Sequence, residues 1–188
     1  VGLVLDVSGS MIGAYRNGRV QEVVDRILPL AVHFDDDGLL DTWAFARRCM
    51  DLPPVSLDNV NDYVNRETGG WRTWMNNVNG AFNYEPAAMW HVISHFCPES
   101  PITNQECPVH KMFGFFSGKN KTRRPAVKLP TREPPAYIVF ISDGGVGSSS
   151  EIESLLVEAS GSPVFWQFVG IGGSNYWILE HLDNMSGR

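Results

Sequence analysis

Residues 1–11 read VGLVLDVSGSM, and residues 136–145 read AYIVFISDGG. Each stretch begins with a short apolar run rich in β-branched residues. The run is followed closely by an aspartate with small residues next to it. Such runs are typical of buried parallel strands. In a parallel sheet the loops that follow them open at the same edge, where ligands of open α/β sheets bind. The two stretches therefore predict a sheet with a polar site beyond the ends of two of its strands.

The rest of the chain alternates between helical and strand patterns, which predicts an α/β fold with a mostly parallel sheet. Pro53 and Pro54 are expected to end a short edge strand, and Gly69 and Gly70 to end a helix that a loop follows. The predicted helices cover residues 19–34, 57–66, 85–96, 150–160 and 176–185. The predicted strands cover residues 1–5, 39–46, 50–55, 136–142 and 163–171.

Length and composition limit the class of protein. The 188 residues fit one domain, and 43% hydrophobic with 19% charged residues is typical of a globular chain. The net charge of -6 disfavours a nucleic-acid binder, and no apolar run approaches the roughly 20 residues of a membrane helix. Three cysteines without a signal-peptide pattern favour a reducing cytoplasm. The first residue is Val1 inside an apolar run, so we expect a fragment of a longer protein.

Residues 98–135 differ from the rest in composition. They contain seven prolines and little periodicity, and seven basic against three acidic residues give a local charge of +4. We expect a long insertion before the fourth major strand, functional or partly disordered. Its basic run at 119–124 is read either as a contact for nucleic acid or an acidic partner, or as a solvated loop, which we favour.

The polar residues after the two strands form a donor set for a hard cation. Asp6, Ser8, Ser10 and Asp143 offer carboxylate and hydroxyl oxygens, and Gly9 permits a tight turn. Oxygen ligands without thiolate or imidazole suit Mg²⁺, and less exclusively Ca²⁺ or Mn²⁺. The bland alternative is that the two aspartates only cap the following helices.

These residues resemble a known family. The pattern Asp6-x-Ser8-x-Ser10 after an apolar strand is similar to the metal-ion-dependent adhesion site (MIDAS) of von Willebrand factor A (vWA) domains, and Asp143 matches the later aspartate of that site. PVFWQFVGIG at 163–172 and LDNMSGR at 182–188 resemble the bacterial tellurium-resistance TerF-like branch. The resemblance implies a doubly wound sheet flanked by helices. It also implies metal-dependent protein binding without catalysis, in which an acidic side chain of the partner completes the coordination.

One stretch departs from the family pattern. The family has Gly-Gly-Thr-Asn-Tyr-x-Pro, whereas residues 79–86 read NGAFNYEP, so that Phe82 stands where the metal-binding Thr is expected. A phenyl ring cannot bind a cation, so the site is either weakened or completed by a partner. Phe82, Asn83 and Tyr84 are candidate partner contacts. Together with Trp71 and Trp74, the aromatic residues form either an exposed anchor or packing beneath the loops.

Three alternatives stay open beside metal-dependent protein binding. The first is a metal-independent interaction scaffold. The second is a Mg²⁺-dependent hydrolase, which we disfavour because Ser8 stands where an aspartate-based phosphotransferase has its second acid. The third is a zinc site, disfavoured by irregular spacing, whose ligands would be His91, His95, Cys107 and His110.

Overall fold

A computed structural model describes residues 1–104, 107, 135–144 and 149–172. Five strands form one sheet in the order β3-β2-β1-β4-β5. β1, β2, β4 and β5 are parallel to one another, and β3 pairs antiparallel with β2 at one edge. The strands are β1 (Gly2–Asp6), β2 (Leu40–Phe45), β3 (Cys49–Val55), β4 (Ala136–Ser142) and β5 (Val164–Gly170).

In the described part of the chain, six α-helices lie on the two faces of this sheet. Alternate residues of β1 enter two separate cores: Leu3 and Leu5 pack with α1–α4, and Val4 packs with α5 and α6. Both faces are covered, which explains why β1 is apolar from Leu3 to Leu5. The predicted doubly wound, mostly parallel α/β sheet flanked by helices is confirmed. The helices are α1 (Ile12–Arg16), α2 (Arg19–Phe34), α3 (Tyr63–Arg66), α4 (Gly70–Asn77), α5 (Glu85–Phe96) and α6 (Ser149–Ala159).

The prediction for the 50–55 strand was wrong about its prolines. Pro53 and Pro54 lie within β3, and Val55 still pairs with Leu40. Proline is tolerated there because β3 is at the edge of the sheet, where a missing N–H interrupts no second ladder. The pairing is irregular between Leu40 and Thr42.

The prediction of a helix over 57–66 was also wrong in extent. Only α3 is helical, because a turn closed by a hydrogen bond from the Ser56 N–H to Asn59 Oδ1 (2.8 Å) precedes it. Asp62 then takes a left-handed backbone conformation with φ of 57°. Such a conformation interrupts a helix.

The glycine pair was expected to lead into a loop, but Gly70 begins α4. Trp71 and Trp74 are one helical turn apart and are both buried against the core. A second missed segment is the short 3₁₀ turn Gly9–Met11 with α1, which follows the Asp6 loop directly. The predicted helix over 176–185 and most of the 98–135 insertion lie outside the described residues. In the described part, no helix has the length and apolar character needed to cross a membrane.

Candidate functional site

The two strands that carry the predicted site are direct neighbours. β1 and β4 pair in parallel, with Leu5 opposite Ile141, so both chains leave the sheet at the same edge. Asp6 ends β1, and Asp143 follows the last residue of β4. The two aspartates therefore meet at the carboxyl edge of the sheet. The Asp143 carboxylate is close enough to raise the pKa of Asp6.

Asp6 is fully buried and well hydrogen-bonded. The Ser8 N–H donates to Oδ1 at 2.8 Å, while Asn83 Nδ2 and Ser142 Oγ donate to Oδ2 at 2.6 and 3.1 Å. Burial raises the pKa of Asp6 to about 6, the Asp143 charge adds to the increase, and the bonds from Ser8 and Ser142 oppose it. Hydrogen bonds therefore fix the position of the Asp6 carboxylate, although burial and the charge of Asp143 disfavour its ionised form.

The two serines of the motif lie side by side beyond Asp6. Ser8 Oγ and Ser10 Oγ are 3.0 Å apart, which is hydrogen-bond distance for either donor. Ser8 is buried, whereas Ser10 is exposed at the mouth of the loop. Two hydroxyls at this spacing beside one carboxylate can present their lone pairs to a common point.

The segment before α5 is fixed against the Asp6 loop by its backbone. The Gly9 N–H donates to the Gly80 carbonyl at 2.8 Å, and the Tyr84 N–H donates to the Ala46 carbonyl at 2.9 Å. A Cβ at position 80 would lie 2.9 Å from the Val7 carbonyl oxygen, so this close approach requires glycine. These contacts place Asn83 beside Asp6.

The three candidate partner contacts differ in exposure. Phe82 is 42% exposed, and the Arg47 guanidinium carbon lies 5.1 Å from the centre of its ring. Asn83 is half-buried and bonded to Asp6, as described above. Tyr84 is buried, and its hydroxyl donates to Glu151 Oε2 at 2.6 Å. Only Phe82 is well placed to meet a partner directly.

Most of the aromatic residues of the predicted anchor are buried. Trp71, Trp74 and Tyr84 are all buried. The Trp74 indole N–H also donates to the Glu67 carbonyl at 3.0 Å and to Thr68 Oγ1 at 2.6 Å. The alternative of packing beneath the loops therefore holds for these three residues.

Glu85 is the site residue that sequence reasoning missed. It is the first residue of α5 and is only 2% exposed, yet neither side-chain oxygen has a hydrogen-bond partner among the described residues. Burial, together with the charges of Asp6 and Asp143, raises the pKa of Glu85 to about 7, although its own N–H and the Asn83 side chain oppose the increase. The Asn83 amide nevertheless makes its hydrogen bond to Asp6. The signal in the sequence was an acid inside the NGAFNYEP stretch.

The donors at this edge suit a hydrated hard cation. Among the described residues Glu85 has no hydrogen-bond partner, and the charges of Asp6 and Asp143 raise its pKa, so a positive ion nearby would stabilise its charged form. Within the described ranges, no three His, Cys, Asp or Glu side chains are arranged to hold a metal ion by themselves. A cation here would therefore depend on the hydroxyls of Ser8 and Ser10 and on water. Mg²⁺ accepts this, since it commonly keeps several waters.

The zinc hypothesis gains no support from the described residues. His95 Nε2 lies 3.3 Å from Asp41 Oδ2, and the His95 ring packs edge-on against Trp43. No His and Cys cluster of ligand geometry occurs in the described part. His110 and the basic run at 119–124 lie outside it.

Two comparisons place the chain among known proteins. A family model described as vWA-TerF-like, vWA found in TerF C terminus, matches residues 1–113 and 123–188. The protein YcbR of Bacillus subtilis (strain 168), which is described as uncharacterized, is 38% identical to the chain over 191 residues. That match covers 100% of this chain and 63% of YcbR, so the chain spans less than two thirds of this relative. The fold, the strand-end motif and these matches agree: the chain belongs to the vWA-TerF-like family.

Proposed function

We propose that this chain is a non-catalytic protein-binding domain that works through a divalent cation of the MIDAS type. The observation that carries the proposal is the meeting of Asp6, Ser8, Ser10 and Asp143 at one edge of the sheet. Their oxygen donors favour Mg²⁺, with Ca²⁺ or Mn²⁺ as substitutes.

Each of the four residues has a distinct role in this proposal. The Asp6 carboxylate and the hydroxyls of Ser8 and Ser10 would bind the ion directly. Asp6 would supply the buried charge, held in place by the Ser8 N–H. Asp143 would bind the ion directly or through water. When bound, the cation would supply positive charge and an exchangeable coordination position.

The partner would bind at the exposed side of this edge. Ser10 is exposed, while Asp6 and Ser8 are buried, so an incoming group approaches from the Ser10 side. An acidic side chain of a partner protein fits such an ion because it is an anionic oxygen ligand with a defined direction. Binding would then require the metal. We propose neither a membrane nor a nucleic acid as partner.

A specific observation favours a second candidate, a scaffold that binds without metal. Phe82 replaces the expected Thr, and its ring is 42% exposed beside Arg47. Asn83 already donates to the Asp6 oxygen at 2.6 Å, so one acceptor of the carboxylate is in use. In this version Phe82 anchors the partner directly.

The enzyme alternative is a Mg²⁺-dependent hydrolase acting at Asp6. Ser8 cannot serve as the second acid that an aspartate-based phosphotransferase uses. We therefore propose no catalysis. Turnover of a phosphoester panel that is lost in Asp6→Asn would contradict this.

The proposed setting is a bacterial stress or tellurium-resistance system in the cytoplasm. Its support is the family model, which describes a vWA domain found at the C terminus of TerF. YcbR, being described as uncharacterized, adds no activity to this argument.

The test combines metal binding with access of a carboxylate. Mn²⁺ is titrated into chelator-treated wild type and Asp6→Ala, and the proton relaxation of acetate is then measured in the loaded protein. The proposal expects saturable Mn²⁺ binding that Asp6→Ala loses, with acetate relaxation enhanced by the bound ion. Absence of Mn²⁺ binding would favour the metal-independent scaffold. Binding without any acetate access would contradict an acidic partner.

A further inference from the structure

The side chain of Asn83 reaches into the candidate cation site. Its Nδ2 donates to Asp6 Oδ2 at 2.6 Å, and Asn83 is itself half-buried. The two residues are 77 positions apart in the chain, so this contact is a product of the fold. Asn83 thus meets the carboxylate that carries the charge of the proposed site, at the oxygen to which Ser142 Oγ also donates.

The preceding residue, Phe82, packs elsewhere. Its ring is 42% exposed, and the Arg47 guanidinium carbon lies 5.1 Å from the centre of that ring. A phenyl ring also has no lone pair to offer a cation. The segment before α5 therefore presents the amide of Asn83 to Asp6, while position 82, where the family has a threonine hydroxyl, supplies no oxygen.

Backbone hydrogen bonds hold Asn83 at this place. The Gly9 N–H donates to the Gly80 carbonyl at 2.8 Å, and the Tyr84 N–H donates to the Ala46 carbonyl at 2.9 Å. These bonds lie on both sides of Asn83 and tie its segment to the loops after β1 and β2. An ion that binds at this edge of the sheet therefore still has the amide within reach.

A side-chain amide has one end that suits a carboxylate and one end that suits a cation. Its NH₂ group only donates hydrogen bonds, whereas its carbonyl oxygen is an acceptor of the kind that hard cations bind. A half-turn about the Cβ–Cγ bond of Asn83 exchanges the two ends with almost no change in shape. A cation beside Asp6 repels the NH₂ group and attracts the oxygen, so the bound ion favours the turned amide.

The spacing of the polar atoms agrees with such a ligand. Mg²⁺ takes octahedral ligands, and bond lengths of about 2.0–2.1 Å place neighbouring ligand atoms roughly 2.9 Å apart. Ser8 Oγ and Ser10 Oγ are 3.0 Å apart, and Asn83 Nδ2 lies 2.6 Å from Asp6 Oδ2. Both separations differ from the octahedral value by only a few tenths of an ångström.

We propose that Asn83 is a ligand of the cation site whose amide donates to Asp6 in the metal-free protein and binds the ion through its carbonyl oxygen in the loaded protein. This inference rests on the proposed cation site. Asn83 then supplies the oxygen that Phe82 lacks. Because the amide is neutral, the loaded site attracts a partner's acid more strongly than it would with a carboxylate at this position.

The first test compares Mn²⁺ affinities in chelator-treated protein by calorimetry. Asn83→Ala removes the amide, and Asn83→Asp keeps its shape with an oxygen at both ends. The exposed Asn76→Ala is the matched control. We expect Mn²⁺ affinity to fall about 10-fold or more in Asn83→Ala, at least the loss that supporting groups cause. Asn83→Asp is expected to bind Mn²⁺ at least as tightly as wild type, and Asn76→Ala equally tightly.

Three results would count against the proposal. An equal or higher affinity in Asn83→Ala overturns the inference and leaves the cation site intact, because an amide that merely occupies Asp6 competes with the ion. A fall in Asn83→Asp as large as that in Asn83→Ala also overturns it, because residue 83 would then act only as a donor that positions Asp6. Absence of Mn²⁺ binding in wild type overturns the site and the inference together.

The second test follows the Asn83 amide itself by NMR in the wild-type protein, with diamagnetic Mg²⁺. Its NH₂ signals are identified by their absence in Asn83→Asp. In the chelated protein we expect the proton that bonds to Asp6 far downfield, as a short hydrogen bond to a carboxylate requires. Saturating Mg²⁺ is expected to move this signal upfield. A downfield signal that persists at saturation overturns the inference, even if Asn83→Ala does not fold.

Discussion

The loop after β1 and the first turn of α5 each bury a carboxylate at the same edge of the sheet, yet they treat it differently. Asp6 accepts hydrogen bonds from Ser8, Asn83 and Ser142, at 2.6 to 3.1 Å. Glu85, nearly as buried, accepts none from the described residues. Asp6 thus receives donors from its own loop, from the end of β4 and from the segment before α5, whereas the described residues give Glu85 no hydrogen-bond donor.

This difference shows that fixing the position of a buried carboxylate is distinct from balancing its charge. The donors around Asp6 fix the direction of its oxygens but do not remove its charge, and its pKa is still raised to about 6. The pKa of Glu85, whose oxygens have no hydrogen-bond partner among the described residues, is raised to about 7. A positive ion that enters from outside would satisfy both acids at once, so the comparison predicts which substitutions harm the loaded protein and which harm the metal-free one.

The largest expected effect is the loss of the cation in Asp6→Ala. Removing the one carboxylate fixed by three donors should weaken Mg²⁺ or Mn²⁺ binding by at least about 100-fold, beyond the 10–100-fold typical of supporting groups. Calorimetric titration of the chelated protein measures this. Undiminished binding in Asp6→Ala would show that the ion binds elsewhere. The comparison of Asp6 with Glu85 would then not describe the cation site.

The next effect is a pH dependence of the metal-free protein. Folding raises the pKa of Asp6 from 3.8 to about 6 and that of Glu85 from 4.5 to about 7. The folded state therefore binds more protons than the unfolded state between these values, so stability falls as pH rises from about 4 to about 7. We expect the melting temperature of the chelated protein to drop by roughly 5 °C or more over that range.

Saturating Mg²⁺ should reduce this drop, because the ion favours the ionised carboxylates. Thermal unfolding followed by circular dichroism, with and without chelator, measures both curves. The opposite result is a melting temperature of the chelated protein that increases across this pH range. It would show that other groups balance the charges of Asp6 and Glu85.

A smaller effect is expected when Asp6 loses one of its donors. Asn83→Ala removes the 2.6 Å hydrogen bond to Oδ2. The free energy of unfolding of the metal-free protein should fall by about 1–3 kcal/mol, the range for a bond to a charged group. Urea denaturation measures it, with the exposed Asn76→Ala as control. If both variants unfold alike, the Asn83 bond does not stabilise Asp6.

The smallest effect concerns position 82. Phe82→Thr restores the family hydroxyl, and we expect Mg²⁺ affinity to rise several-fold with little change in stability, since the lost contact with Arg47 is worth about 0.5–1 kcal/mol. Phe34→Thr, at an exposed phenylalanine of α2, is the control for calorimetry. Unchanged affinity in Phe82→Thr would mean that position 82 does not face the ion.

Elements with a strong local pattern were predictable from the sequence. The predictions over 19–34, 85–96 and 136–142 match α2, α5 and β4 to the residue. Each combines sustained periodicity or an apolar run with a clear end signal. The fold class followed from the alternation of these elements.

Other elements depended on tertiary context. The short helix α4 is stabilised by burial of Trp71 and Trp74, which residue preferences alone do not reveal. Pro53 remains in a strand because β3 is an edge. The local sequence does not show which segment packs against an element or how deeply the element is buried. The ends of some elements and the short helices were therefore not predicted.

The candidate site divides in the same way. Asp6, Ser8 and Ser10 belong to one loop, so their spacing was visible in the sequence, and Asp143 could be added because it also follows a strand. Glu85 could not be added. Glu85 is buried without a hydrogen-bond partner among the residues that the structure describes, and the charges of Asp6 and Asp143 raise its pKa. The packing of α5 against the sheet creates this environment.

The most direct measurement is a crystal structure of the Mn²⁺-loaded protein with anomalous scattering data. The account predicts one strong anomalous peak beside the Ser8 and Ser10 hydroxyls, near Asp6 and Asp143. A protein that is saturated with Mn²⁺ in solution but shows no peak at this edge, or shows it elsewhere, would contradict the account.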